Sequence, residues 1–187
     1  MRGLAQGAML LGALGLFGCG TSSDSTTAPR LAATGPSFSV GNGAAGSGEE
    51  QHVTGSVAII LPLHGNALEH YSVSAIQHKD GSTSGEFEEY SSQDGGQRIH
   101  AKIACVGITG NTARLAARID ETNVPFGPVG SYVVWTVIDN GEGAKSAPDQ
   151  STDVFFNGTE AQAQFHCRVG FNLAPFFPSI RGNLQVD

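Results

Sequence analysis

Apolar and polar residues alternate with a period of two through most of the chain beyond about His52. Strict alternation is typical of β-strands with one buried face. The predicted strands cover residues 53–61, 71–78, 83–90, 98–107, 112–120, 132–139, 161–169 and 179–186. About 7–9 short strands with frequent turns predict an all-β domain, either an antiparallel β-barrel or a β-sandwich. We expect the first and last strands to pair, because pairing would remove an exposed edge.

The apolar faces predict the register of the hairpin between strands 98–107 and 112–120. A two-residue loop at Gly110-Asn111 would pair inward with outward positions, so the pattern favours a three-residue loop. The predicted pairs are Cys105 with Leu115, Ile103 with Ala117, and His100 with Asp120 on the outer face.

Composition excludes several classes of protein. The 187 residues are 40% hydrophobic and 14% charged, which is too apolar for a wholly disordered chain. Only 10 Lys and Arg stand against 17 Asp and Glu, for a net charge of −7. Nucleic-acid binding requires clustered cations, so no nucleic-acid partner is predicted.

The amino-terminal residues are typical of an export signal. Arg2 precedes an apolar run at residues 9–17, which is too short to span a bilayer but suits a signal peptide. The segment Leu16-Phe17-Gly18-Cys19 resembles a bacterial lipobox, and the resemblance implies that Cys19 is acylated and holds the protein at a lipid bilayer. Gly20 follows the cysteine, which favours the outer membrane or cell surface over the inner membrane. The alternative is an ordinary secretory signal with an incidental cysteine.

Three segments follow from these patterns. Residues 1–18 are predicted to be a lipoprotein signal peptide, and residues 19–50 a flexible linker of Ser, Thr, Gly and Ala. A linker of this composition reaches about 30 Å. Residues 51–187 are predicted to form the all-β domain.

The remaining cysteines favour a disulfide. With Cys19 taken by lipid, Cys105 and Cys167 are left, both at inward positions of predicted strands. An oxidising compartment and an even number of cysteines favour a Cys105–Cys167 bridge. The alternative is two free, buried cysteines.

Several turn motifs resemble a known group of domains. They are Gly110-Asn111-Thr112-Ala113, Val137-Ile138-Asp139-Asn140-Gly141-Glu142 and Gly182-Asn183-Leu184-Gln185-Val186. Residues 52–187 are similar in this respect to small β-domains of exported bacterial proteins, including post-COAP domains. The resemblance implies an all-β fold and export, and it implies no activity.

Oxygen ligands are densest around one acidic, glycine-containing segment. The candidate calcium ligands are Asp139, Asn140, Glu142 and Asp149. Calcium takes six to eight oxygens, which such a loop could supply in part. Asn and Gly are also the residues of tight turns, so a turn without metal is the alternative. No other cofactor is predicted.

An aromatic group supplies the candidate ligand pocket: Trp135, Phe171, Phe176 and Phe177. The alternative for the phenylalanines is a loop that plugs the end of a barrel. The histidines His52, His64, His70, His78, His100 and His166 form no metal motif and are interpreted as solvated. Glu86, Glu88 and Glu89 are close together in the sequence. Glu86 and Glu88 alternate on an outer face, where they are interpreted as solubilising.

No catalytic residues are predicted. The favoured function is a membrane-anchored lipoprotein with a non-catalytic β-domain that acts as a structural or binding module. A small-ligand-binding barrel is the alternative, and an enzyme with a composite His and carboxylate site is a weaker one.

Overall fold

A computed structural model describes residues 50–143 and 145–187, so the predicted signal peptide and Cys19 lie outside the described residues. The strands are β1 (Gln51–Leu61), β2 (Ala67–Gln77), β3 (Thr83–Ser91), β4 (Gln97–Thr109), β5 (Thr112–Thr122), β6 (Tyr132–Ile138), β7 (Gln150–Thr152), β8 (Phe155–Gly158), β9 (Phe176–Pro178) and β10 (Arg181–Val186). The helix α1 spans Glu160–Arg168, and short 3-10 helices span Pro62–His64 and Gln93–Gly95.

All ten strands belong to one antiparallel sheet that curls strongly into a barrel-like shape. Its order is β10-β1-β2-β3-β4-β5-β6-β7-β9, and β8 pairs with β6. The strand β1 pairs with β10, with Val53 opposite Val186. The predicted all-β fold and the predicted pairing of the first and last strands are therefore confirmed.

The inner face of the curled sheet holds the main hydrophobic core. Trp135, Phe87 and Tyr71 are its largest members, and each is at most 2% exposed. The Trp135 and Phe87 rings lie 4.0 Å apart between centroids, and Phe87 contacts Tyr71 at 5.8 Å. Aromatic rings at these separations pack against one another in the middle of the sheet.

The hairpin between β4 and β5 has a shorter loop than predicted. Thr109 pairs with Thr112, so the loop is the two-residue Gly110-Asn111, and Gly110 has φ 59° as such a turn requires. A register shift between Ile103 and Cys105 then restores the parity that a two-residue loop would break. The three-residue prediction was wrong because it did not include this bulge.

Only one of the predicted pairs in this hairpin has the predicted backbone register. Ile103 lies opposite Ala117 as expected, whereas Cys105 lies opposite Ala116 and so turns to the outer face of the sheet. A second shift sets His100 opposite Glu121, although its side chain still contacts Asp120 at 2.6 Å.

The segment predicted as strand 161–169 is the helix α1, so that prediction was wrong. Thr159 caps the helix in a capping box with Gln162, a start signal that the alternation of residues 163–169 concealed. Ala163, His166 and Cys167 are buried, which is the i, i+3, i+4 spacing of a helix face. Phe165 and Val169, predicted to be inward, are 40% and 59% exposed.

The disulfide prediction is confirmed, although the bridge lies outside the main core. Cys105 of β4 and Cys167 of α1 are joined with a Cα–Cα distance of 6.1 Å. They belong to a second buried cluster between the sheet and the helix, with Ala116, Val134, Ala163 and Leu173. A Cβ on Gly107 would lie 1.8 Å from the Cys167 carbonyl oxygen, so glycine there allows the helix to lie directly on β4.

Side chains complete the hydrogen bonding of the sheet's last strand. Leu184 and Val186 of β10 point their N–H groups away from β1, where no further strand follows. Asp149 Oδ2 accepts the Leu184 N–H at 2.7 Å, and Asp139 Oδ2 accepts the Val186 N–H at 3.1 Å. The two carboxylates therefore replace a neighbouring strand at this edge.

We predict that Asp149→Ala destabilises the domain by about 2–4 kcal/mol, because the Leu184 and Asn140 N–H groups would both lose their acceptor. Denaturant unfolding measures the loss, and Asp149→Asn, which keeps one oxygen, should be intermediate. The control Glu142→Gln alters an exposed acid of the same loop and should change the free energy of unfolding by less than about 0.5 kcal/mol. An equal effect of both substitutions would contradict the prediction.

Candidate functional site

An acidic pair lies inside the sheet where β2 begins and β3 ends. Glu69 of β2 and Glu89 of β3 occupy inward positions, in the same alternation that buries Tyr71 and Phe87. Glu69 lies opposite Ser91 and Tyr71 lies opposite Glu89 in the β2–β3 register. The alternation of apolar residues therefore carries two carboxyl groups into the interior.

Both carboxyl groups are buried and only partly satisfied. Glu69 is 2% exposed and Glu89 is 8% exposed. Ser91 donates its hydroxyl to Glu69 Oε1 at 2.6 Å. Glu69 Oε2, Glu89 Oε2 and the Tyr71 hydroxyl have no hydrogen-bond partner among the described residues. Buried polar atoms without partners are rare in proteins, so these three are candidates for contact with a water molecule or a ligand.

A cavity of about 360 Å³ adjoins the pair. Phe126, Phe155 and Phe156 form its apolar wall, and Gln93 and Gln97 also line it. Its remaining polar groups include His64 and Asp153, whose Nε2 and Oδ2 atoms are 3.6 Å apart. Its volume is within the range of small-molecule sites, which runs from about 300 to 1,000 Å³.

Burial raises the pKa of Glu89 well above its usual value, and the nearby charge of Glu69 acts in the same direction. Burial also raises the pKa of Glu69, although the hydrogen bond from Ser91 opposes the change. The pKa of Asp153 is raised by burial against the opposing charge of His64. The Tyr71 pKa is raised by burial and then by the three neighbouring carboxyl groups. Carboxyl groups held this way can retain a proton near neutral pH.

A second, larger concavity of about 550 Å³ lies on the outer face of β2–β5. Two of its cationic side chains, Arg98 and His100, already have partners. The Arg98 guanidinium lies 5.5 Å from the centre of the Tyr90 ring, and His100 Nδ1 contacts Asp120 Oδ1 at 2.6 Å. The hydrogen bond with Asp120 raises the pKa of His100. The buried oxygens without partners belong to Glu69 and Glu89, which both line the smaller cavity, and that cavity is therefore the stronger candidate site.

The predicted calcium ligands lie at the edge of β10 and form hydrogen bonds. Each carboxylate oxygen of Asp139 and Asp149 accepts a backbone N–H group. The Asn140 side chain donates to a backbone carbonyl, and Glu142 accepts from the Asn183 amide. Among residues 50–143 and 145–187, no group of three or more His, Cys, Asp or Glu side chains is arranged to hold a metal ion. The calcium hypothesis stays a prediction.

The structure does not bring the four predicted pocket aromatics together. Trp135 is fully buried in the main core, against which Phe177 packs. Phe171 lies on the other side of the sheet and stacks on His166, with ring centroids 5.5 Å apart. Phe176 is 37% exposed on β9. Both cavities described above are lined by other residues.

Two placements differ from the sequence interpretation of polar residues. His166 is fully buried rather than solvated, and its Nε2 lies 2.9 Å from the Trp135 carbonyl oxygen. Burial lowers the pKa of His166. Glu86 and Glu88 are exposed as expected, whereas the alternation that places them outward also places Glu89 inward. That parity was the signal that could have identified Glu89.

Comparisons with known proteins add no further assignment: no family model matches the chain, and neither curated proteins nor solved structures give a match. In the described part of the chain, the helix is too short and polar to cross a membrane. The described residues define an all-β, barrel-like domain with a helix bridged to its outer face.

We predict that Glu89→Gln stabilises the domain by about 1–3 kcal/mol at pH 7–8, because a buried carboxylate without a partner is replaced by a neutral group. The folded-state pKa of Glu89 is raised, so wild-type stability falls as the pH rises above the unfolded-state pKa. The difference in the free energy of unfolding between Glu89→Gln and the wild type should therefore become smaller towards pH 4.

Denaturant unfolding at several pH values measures this difference. The matched control Glu88→Gln changes the exposed neighbour on the same strand and should leave the pH dependence unaltered. A loss of stability in Glu89→Gln that is independent of pH would contradict the assignment.

Proposed function

We propose that the chain is an exported lipoprotein, anchored through an acylated Cys19, whose β-domain binds a small molecule at the Glu69–Glu89 cavity. The binding proposal depends on one observation, the unpartnered buried oxygens of Glu69 and Glu89 beside a 360 Å³ cavity. Leaving such groups unpaired costs stability, and a ligand that pairs with them would recover it.

Export and anchoring are supported by two independent features. The segment Leu16-Phe17-Gly18-Cys19 resembles a lipobox. The Cys105–Cys167 disulfide is the kind of bond that persists in oxidising compartments outside the cytoplasm. A linker at residues 19–50 would hold the domain about 30 Å from the bilayer. In this proposal the lipid holds the domain at the membrane and the cavity binds the small molecule.

The cavity also favours a second candidate function, an enzyme that uses paired carboxyl groups as acid and base. Environments that separate the pKa values of two neighbouring carboxyl groups are typical of such sites. Glu69 and Glu89 differ in this way, because only Glu69 receives a hydroxyl hydrogen bond from Ser91. Turnover that is lost in both Glu69→Gln and Glu89→Gln would favour the enzyme over the binding module.

We predict that Cys19→Ser removes the protein from the membrane fraction, because a serine cannot carry the thioether-linked lipid of a lipoprotein. Fractionation of cells grown with labelled palmitate measures both location and acylation. Cys105→Ser is the control, since it alters a disulfide cysteine and should leave the labelled protein in the membrane. Labelled, membrane-bound Cys19→Ser protein would refute the anchor.

We screen a panel of small cationic, anionic and neutral molecules for binding. We predict that some of them raise the Tm of the wild-type protein but not that of Glu89→Gln. A ligand at a hundred times its dissociation constant stabilises by about 2.7 kcal/mol, which is readily seen as a rise in Tm. Glu88→Gln should respond like the wild type. A panel in which no class of ligand acts through Glu89 would contradict the binding function.

A further inference from the structure

The cavity beside Glu69 and Glu89 has an excess of negative groups. Three carboxyl groups line it, those of Glu69, Glu89 and Asp153. Among the described residues that line it, the only ionisable base is His64, which faces Asp153 at 3.6 Å. The charge of His64 also acts on Glu69, but the described lining forms no salt bridge with Glu69 or Glu89. A bound cation or a retained proton would lower the cost of burying these carboxyl groups.

The other wall of the cavity is aromatic. Phe126 and Phe156 meet edge to face with centroids 5.0 Å apart. Phe126 is 46% exposed and Phe155 is 42% exposed, so phenyl surface faces solvent at the cavity's mouth. Ring faces attract cations, and they favour cations that carry alkyl groups over strongly hydrated metal ions.

We propose that this cavity binds a small organic ammonium ion, with its nitrogen against the carboxyl groups of Glu69 and Glu89 and its alkyl groups against the phenyl wall. The inference rests on the proposed binding function and adds the chemical class of the ligand. The cavity volume of about 360 Å³ accommodates such an ion, whereas it is far larger than a single metal ion needs.

Protons compete with the ammonium ion for the same oxygens. The titratable groups that line the site are Glu69, Glu89, Asp153 and His64, and Tyr71 lies opposite Glu89 in the sheet. Burial raises the pKa of each of the three carboxyl groups, so the empty site tends to hold a proton. Binding of a cation favours the ionised pair and releases that proton. Affinity should therefore increase with pH, by about tenfold per pH unit while one proton is released.

Titration calorimetry of the mature, full-length protein in a maltoside detergent tests the inference, with tetramethylammonium chloride as the probe. Its neutral counterpart is tert-butanol, and sodium acetate and calcium chloride test the anion and the metal ion. We expect tetramethylammonium to bind more tightly at pH 8 than at pH 6. Buffers of different ionisation enthalpy should reveal the released proton.

Substitutions locate the binding. Glu69→Gln and Glu89→Gln should each weaken tetramethylammonium binding at least tenfold, and Glu88→Gln should not. Phe126→Leu keeps apolar volume but removes a ring, and should weaken binding about two- to fivefold. Circular dichroism and Trp135 fluorescence verify that each variant is folded. If one of the two glutamate variants does not fold, the other still tests the site.

The possible outcomes distinguish failure of the ammonium inference from failure of the proposed binding function. If tert-butanol, acetate or calcium binds in a manner that depends on Glu89 while tetramethylammonium does not, the ammonium inference is overturned and the binding function survives. Tetramethylammonium binding that is unchanged in both glutamate variants also overturns it. If no probe of any class depends on Glu89, the inference and the proposed binding function both fail.

Discussion

An antiparallel sheet that curls without closing leaves an unpaired row of backbone groups on the strand at each edge, and in this domain one of those strands is β10. The N–H groups of Leu184 and Val186 are accepted by the carboxylates of Asp149 and Asp139. Asp149 is 3% exposed, so its hydrogen bonds form where water competes poorly. The other oxygens of the two carboxylates hold the backbone of the same acidic segment at Asn140 and Gly141. One pair of side chains thus shapes a loop and protects an edge, and the pairing of β1 with β10 depends on that edge remaining in place.

The rest of the interior contains two kinds of buried residue, apolar side chains at the centre and carboxyl groups at one end. The centre of the sheet is filled by Trp135, Phe87 and their apolar neighbours, which gain stability from leaving water. At one end the same inward positions carry Glu69 and Glu89, which lose hydration and regain little of it from the protein. The centre of the domain accounts for its stability, whereas the acidic end lowers that stability and offers chemistry that the centre lacks. A binding site at the end of a filled barrel-like sheet is consistent with a stable centre and a less stable acidic end.

The sequence predicts the sheet well because the strands from β1 to β5 repeat a two-residue period over many positions, and β6 is a nearly continuous apolar run. It failed where a local signal was short or ambiguous. Residues 161–169 alternate like a strand, yet the capping box at Thr159 and Gln162 and the burial of Ala163 and Cys167 make them a helix. The loop after β4 was predicted one residue too long, because a bulge beside Cys105 cannot be seen in the alternation. The acidic pair was missed for a different reason: parity shows that Glu89 faces inward, but only three-dimensional register brings it to Glu69.

The pairing of β1 with β10 also bears on when the domain can fold. The strand β10 is synthesised long after β1, and the carboxylates that hold its edge are those of Asp139, directly after β6, and Asp149, directly before β7. Contacts between such distant parts of a chain form late and slowly, because a long loop must be closed before they add stability. The growing chain therefore cannot pair β1 with β10 before residues 181–186 have been synthesised.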